Sequence, residues 1–244
     1  MEKRNIKIHK EKEKEIMNLN KHREFFDPEQ FDDAIHIIGC GAVGSTIAEQ
    51  LARLGVKKLH LYDFDVVSEH NITNQMFYQA HVGLTKLKAL DEILHAINPD
   101  IELTHHPEGW EQGVALSGYV FLAVDNIDTR KEIVKDNLFN PLVKAMFDTR
   151  MRLTDAQHFA ALWTPEGKKF LQDTMNFTRE EAANSTPVSA CGTTLSVTPT
   201  VRIICSLAVS NIVNVILGKP ITKTILIDAF NMTIDAFDEN GPKN

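Results

Sequence analysis

The 244 residues predict an α/β fold with a doubly wound, mainly parallel sheet and a C-terminal antiparallel hairpin, and three observations carry that expectation. Apolar runs of strand length alternate with amphipathic stretches of helix length from Ile35 to Phe139, the pattern of a layered α/β sheet. At the first strand-to-helix junction, Gly39, Gly41 and Gly44 have the spacing of a turn that approaches phosphate closely. Further along, "TKTILIDAFNMTIDAFDENG" reads as two strands about a turn near Asn231.

In order, Ile35 to Ile38 is a short apolar strand ending at Gly39, and Val43, Ile47, Leu51 and Leu54 lie on one face of the helix that follows. "KKLHLYDFD" is a second strand, alternating at Leu59 and Leu61 and followed by a polar loop through Gln75. "TKLKALDEILHAIN" is a helix stopped by Asn98-Pro99, "IELTHH" a third strand, and "GYVFLAVDN" a fourth. "TRKEIVKDNLF" is a helix closed by Asn140-Pro141. From Asp155 to Pro187 the pattern lapses around Pro165, Gly167 and the polar "TREEAANSTP", which predicts a crossover loop at about 155–190. An apolar helix at roughly 200–217 then ends at Gly218 and Pro220. Residues 1–22 mix Lys, Arg and Glu as a charged arm or solvated helix, leaving 23–244 as a single domain without internal repeats.

A net charge of −7 argues against nucleic-acid or anionic-membrane binding, both of which need excess Lys and Arg. The apolar stretch Val201 to Leu217 is interrupted by Arg202, Asn211 and Asn214, which suits a buried helix better than a membrane span. Cys40, Cys191 and Cys205 form no CxxC pair, so neither a disulfide framework nor a structural zinc site is expected. With no apolar run of signal-peptide type near Met1, the expected setting is cytoplasmic. His158 and the pair His105-His106 lack metal-ligand spacing and read as surface or packing residues.

The chemistry starts at the glycine turn. Gly39 and Gly41 permit a tight bend and close backbone approach, Gly44 lets helix and strand pack, and the helix N-terminus offers free N–H groups to phosphate. These features serve NAD and ATP equally. Asp63, closing the second strand, can accept from ribose hydroxyls, and Asp65 points the same way in an extended segment. Beyond them come Asn71, Asn74, Gln75 and Lys86, amides and a cation that suit a triphosphate more than a nicotinamide dinucleotide.

Taken together and in order, "GCGAVGS", "DFDVV", "HNITNQ", "VGLTK" and "AVDNIDTR" resemble the ThiF/MoeB superfamily of ubiquitin-like-protein activating enzymes, over roughly Arg23 to Asp238. The resemblance implies adenylation of a carboxylate by ATP with magnesium. It makes Asp63 the ribose acid, sets Asn71 and Gln75 beside the triphosphate, and gives Lys86 the neutralisation of phosphate charge as AMP transfers. Asp125 occupies the place of the acid that supports magnesium, while Arg130, one turn on, reads as a helix salt-bridge partner. The family string is Asn-x-x-Arg-Gln, so Asn74 stands where arginine is usual, and Arg23 is a candidate to supply that charge, in some members across a dimer interface. Cys191 lies where members with a crossover cysteine pass the acyl group to a thiol or exchange persulfide, whereas Cys40 and Cys205 read as packed residues. The implied partners are a ubiquitin-like β-grasp protein, activated at its C-terminal glycine, and a second copy of the chain. Open alternatives are a small-molecule, peptide or tRNA-linked carboxylate, a NAD-dependent oxidoreductase, and a nucleotide-binding module without turnover.

Overall fold

The computed structural model describes residues 17–189, 195–238 and 241–242. A strand, β1 (Ile35–Ile38), is buried along its whole length and passes through the glycine turn into α1 (Ala42–Arg53). There follow β2 (Lys58–Tyr62), α2 (Lys86–Ile97), β3 (Glu102–His106), β4 (Gly118–Leu122) and α3 (Ile127–Asp136). The caps are local: the Thr85 side chain accepts from Lys88 N–H at the start of α2, and Asn126 accepts from Asp128 N–H at the start of α3.

Among the described residues nine strands form one sheet in the order β3-β2-β1-β4-β5-β6-β7-β8-β9, where β5 is Val143–Met151, β6 Asp155–Leu162, β7 Thr224–Asp228, β8 Thr233–Asp238 and β9 Gly241–Pro242. The first five are parallel, and Ile38 at the end of β1 is in register with both Tyr62 of β2 and Leu122 of β4. The strand order therefore reverses between β1 and β4, and the chains leaving both strands open a crevice beyond their carboxyl ends. One face of the sheet packs against α1, α2 and α6 (Thr198–Ile216) around Ile47, Leu51, Leu90, Ile204 and Ile212. The other face packs against α3 and α4 (Pro165–Asp173) around Val120, Met146, Ile133 and Leu171. By length and composition α6 could cross a membrane, but here Val201, Ile204, Cys205, Ala208 and Ile212 are buried within the protein.

The predicted crossover loop is corrected by the structure. Asp155–Leu162 is strand β6, Pro165–Asp173 is α4, and Arg179–Ser185 is a short helix, α5. Pro165 lies in the first turn of α4 behind the Thr164 cap, where its missing N–H costs nothing. A Cβ on Gly167 would sit 2.0 Å from the Leu162 carbonyl oxygen, so that glycine marks close packing and not a break. β5 (Val143–Met151) was not anticipated either. It pairs with β4 in parallel and with β6 in antiparallel fashion, so the antiparallel half begins before the expected hairpin. That hairpin is present as β7 (Thr224–Asp228) and β8 (Thr233–Asp238), with Met232 at φ 58° in the turn, and a two-residue β9 (Gly241–Pro242) follows. Of the charged arm, residues 1–16 lie outside the described part. Phe26 and Phe31 already belong to the core.

Candidate active site

Gly39 adopts φ 93°, and a Cβ there would lie 2.8 Å from the backbone of Ala123 and Val124, so the turn after β1 abuts the chain leaving β4. At Gly44 an added Cβ would fall 1.8 Å from the Gly39 carbonyl oxygen, which forces α1 against the turn. Gly41 differs from both: a Cβ would meet nothing within 4 Å. Its bareness is not required by protein packing and leaves room on the open side of the turn. Gly41 caps α1 without any side-chain bond, so the first N–H groups of the helix face that space.

Asp63 stands at the edge of this turn. Its Oδ2 accepts from Cys40 N–H at 2.7 Å and its Oδ1 from Asp65 N–H at 2.8 Å, leaving lone pairs on both oxygens for further donors. Lys86, the first residue of α2 and nearly buried, places Nζ 2.6 Å from Asp65 Oδ2 and 3.8 Å from Asp63 Oδ2. The pairing is held by the backbone as well, because Val66 and Thr85 form an isolated antiparallel bridge.

The loop after β2 forms the second wall. The Asn71 side-chain oxygen Oδ1 accepts from the Ser68 N–H and hydroxyl, both at 2.9 Å, which closes a 3-10 turn over Glu69–Thr73. Asn74 Nδ2 donates to Ser196 Oγ at 2.9 Å, fastening the loop to the segment before α6. Among the described residues Gln75 Oε1 is buried without a hydrogen-bond partner, and Met76 N–H donates to Ser45 Oγ at 3.2 Å in the first turn of α1.

Asp125 is exposed in the turn leaving β4. Beneath it, the nearly buried Arg130 donates to the carbonyls of Val124 (2.8 Å), Leu122 (3.0 Å) and Thr149 (3.1 Å) and pairs with Asp148. Its salt-bridge partner is therefore on β5 and not on its own helix. Asp148 is fully buried and pairs also with Arg150, whose guanidinium lies over the rings of Phe159 and Phe177. Burial pulls the Arg130 guanidinium below its ordinary pKa while Asp148 opposes the shift.

A model of the ThiF family matches residues 30–244. The chain belongs to the ThiF family. Among proteins, it is 45% identical over 76 residues to ubiquitin-like modifier-activating enzyme 5 of Branchiostoma floridae, a match covering 31% of this chain and 18% of that one. It is 31% identical over 133 residues to the enzyme of the same name from Caenorhabditis elegans, covering 51% and 29%. The matched stretch thus spans less than a third of those relatives' length. Among solved structures, PaaA superposes with a TM-score of 0.71 at 18% identity, covering 91% of this chain and 78% of that one. E. coli MccB crystallised with ATP gives 0.66 at 19% identity, covering 86% and 65%. These structures share the fold.

Within this ThiF-family chain, Gly39, Gly41, Gly44, Asp63, Asp65 and Lys86 converge at the β1–β2 end of the crevice, and Asn74, Gln75 and Met76 line the loop joined to α1 and α6. Asn71 is directed into its own turn through its side-chain oxygen. Arg23 is not brought to the crevice: it pairs with Asp27 in a hollow lined by Phe25, Phe31, Ile216 and Leu217, at the far end of α6. A 19-residue helix is roughly 28 Å long, and Ser196 and Asn74 lie at its other end. Cys191 lies outside the described residues. Cys40 and Cys205 are buried, with their thiol pKa values pushed up by desolvation.

Sequence reasoning missed Asp148, Arg150 and Arg202. The alternation Asp148-x-Arg150 was readable as two side chains on one strand face, but only once β5 had been recognised. Among the described residues no group of three or more His, Cys, Asp or Glu side chains could hold a metal ion. Magnesium is ordinarily held by one or two carboxylates plus substrate phosphates, so a lone Asp125 in the crevice fits that mode when joined by a nucleotide.

Proposed function

We propose that this chain adenylates a carboxylate with ATP, and that the carboxylate is the C-terminal glycine of a ubiquitin-like β-grasp protein. The observation that carries the reading is the triad of Asp63, Asp65 and Lys86 beside the open side of Gly41: an oriented acid for ribose hydroxyls and a nearly buried cation next to unbonded helix N–H groups. The names of the relatives supply the substrate class.

In this reading a carboxylate oxygen bonds to the α-phosphorus, the bond from that phosphorus to the bridging oxygen of the β-phosphate breaks, and pyrophosphate leaves. Little side-chain acid–base chemistry is needed, and positioning with charge stabilisation supplies the rate. Lys86 exchanges Asp65 for phosphate oxygens, the α1 N–H groups hold the phosphates through Gly41's opening, and Asp63 orients the ribose. Asp125 holds magnesium, whose positive charge offsets that of the phosphates.

Cys191 then takes the acyl group as a thioester, releasing AMP. Arg23, remote from its own crevice, acts on the crevice of a second copy in a homodimer. Replacing Cys191 with Ala leaves ATP–pyrophosphate exchange intact and removes an adduct that added thiol cleaves by acyl exchange; an adduct persisting in that variant assigns the nucleophile elsewhere.

The deciding experiment is ATP–pyrophosphate exchange with and without a ubiquitin-like protein ending in glycine, beside thermal shifts with MgATP and with NAD. Exchange dependent on that protein supports the reading. Exchange dependent on a peptide or small carboxylate retains the chemistry and changes the substrate, and a shift with NAD alone overturns both.

A further inference from the structure

Arg202 is the fifth residue of α6, and it reaches from that helix to α1 and to the loop after β2. Its Nη1 donates to Thr46 Oγ1 at 2.8 Å and also contacts Met76 Sδ. Thr46 is in the second turn of α1, with its hydroxyl bonded to the Ala42 carbonyl, and Met76 is tied through its N–H to Ser45. The half-buried guanidinium therefore sits against the opening turns of α1 and the loop that carries Asn74 and Gln75.

Its neighbours do not balance its charge. Among the described residues no carboxylate lies within ion-pair distance of Arg202, whereas Arg130, Arg150 and Arg152 each have one. A hydroxyl and a thioether are weak partners for a group with five donors. An arrangement of this kind is relieved by an anion. The adjacent Asn74 brings no charge, and its amide is directed to Ser196, while the Thr198 hydroxyl donates to the Thr73 carbonyl at 2.5 Å. The start of α6 and the Asn74 loop are thus fastened together, which fixes Arg202 over the loop.

We propose that Arg202 is a phosphate-binding residue that supplies, from α6, the positive charge absent at Asn74, and that it contacts the triphosphate of the bound nucleotide. The inference deepens the adenylation reading and rests on it for the nucleotide. Lys86 and Arg202 then both hold the polyphosphate, together with the N–H groups at the start of α1. Five guanidinium donors leave several for phosphate oxygens after Thr46 is satisfied.

The test is calorimetric titration of the full chain with sodium tripolyphosphate, MgATP and adenosine, in wild type, Arg202→Gln, Arg202→Lys and Arg202→Ala with Asn74→Arg. Arg202→Gln retains donors for Thr46, and its thermal midpoint without ligand checks that the fold persists. The expected result is that Arg202→Gln weakens tripolyphosphate and ATP by about tenfold or more while adenosine binding stays within about twofold. Arg202→Lys recovers part of the loss, and Asn74→Arg restores affinity in the Arg202→Ala background. Unchanged tripolyphosphate affinity in Arg202→Gln, or equal losses for adenosine and ATP, overturns the proposal. So does a wild-type chain that does not bind tripolyphosphate. Polyphosphate binding that depends on Arg202 without exchange for any carboxylate sinks the adenylation reading alone; normal exchange with a silent Arg202→Gln sinks this one alone.

Discussion

Lys86 and Asp65 are joined twice, by the Nζ–Oδ2 ion pair at 2.6 Å and by the Lys86 N–H donating to the Asp65 carbonyl at 2.9 Å. The lysine is thus anchored by its backbone and free to change side-chain partners. Lys86→Ala is expected to cut ATP–pyrophosphate exchange by about a hundredfold or more, the usual cost of removing one preorganised charge partner, about 3 kcal/mol. Asp65→Asn keeps the cation beside Asp63 and should stay within roughly tenfold, about 1.4 kcal/mol. Initial exchange rates at saturating ATP distinguish the two, and near-wild-type exchange in Lys86→Ala removes its assigned role.

The glycines separate binding from folding. Gly41→Ala meets no protein atom, so its thermal midpoint should stay closer to wild type than that of Gly44→Ala while MgATP affinity falls. In Gly44→Ala the new methyl collides with backbone at Gly39, and destabilisation of about 3 kcal/mol or more is expected from overpacking that no rotamer can relieve. Urea denaturation and ATP titration on the two variants check this, and the opposite ranking would contradict the geometry.

Replacing Arg130 with Met strands the fully buried Asp148 with only Arg150 and unties the Val124 and Leu122 carbonyls. A loss of about 3–5 kcal/mol in urea-derived stability is expected, as for other broken buried pairs. Double replacement of Arg130 and Asp148 by Met and Leu should recover part of it, since no buried carboxylate then remains.

Acid should weaken the fold before its carboxylates titrate. Burial lowers the His36 pKa to about 3, with His60 and His106 adding to the shift, and burial lowers His158 to about 4. Above about pH 6.5 these histidines are neutral in both states and contribute no pH dependence. Below it the unfolded chain takes up protons that the folded chain refuses, so stability falls by up to about 1.4 kcal/mol per pH unit for each histidine. The lowered carboxyls of Asp32, Glu181 and Asp228 act below about pH 4.5. Urea midpoints at pH 7.5, 6.5 and 5 should show a plateau and then a decline, and His158→Gln should shallow the decline.

The first four parallel strands were legible because β1 and β4 are unbroken apolar runs, β2 alternates at Leu59 and Leu61, and the punctuation is simple: Gly39 after β1, Asn98-Pro99 after α2, Asn140-Pro141 after α3. β5 was hidden because Lys144, Asp148 and Arg150 dilute its apolar pattern, although Asp148 is buried by pairing with Arg130 and Arg150. β6 and α4 were read as irregular because proline and glycine were taken as breakers, when Pro165 starts a helix and Gly167 accommodates a carbonyl. α5 buries no residue and depends on the Thr178–Glu181 capping box, so it leaves no hydrophobic trace. His158, fully buried between Thr149 and Asn211, has a packing role. At the site, motif residues on one continuous stretch were readable, whereas Arg202 comes from 156 residues beyond Thr46 and leaves no local signal.

That separation bears on the order in which the protein matures as it is made. The glycine turn, Asp63 and Lys86 emerge from the ribosome well before α6, and chains organise from the N-terminal side as they lengthen. Until α6 docks on α1, the nascent crevice lacks Arg202, and α1 lacks the cover of α6, whose Cys205 thiol donates to the Val43 carbonyl. On the proposed reading nucleotide capture follows the docking of α6, because a nucleotide held by both Lys86 and Arg202 stabilises only the folded state that presents both.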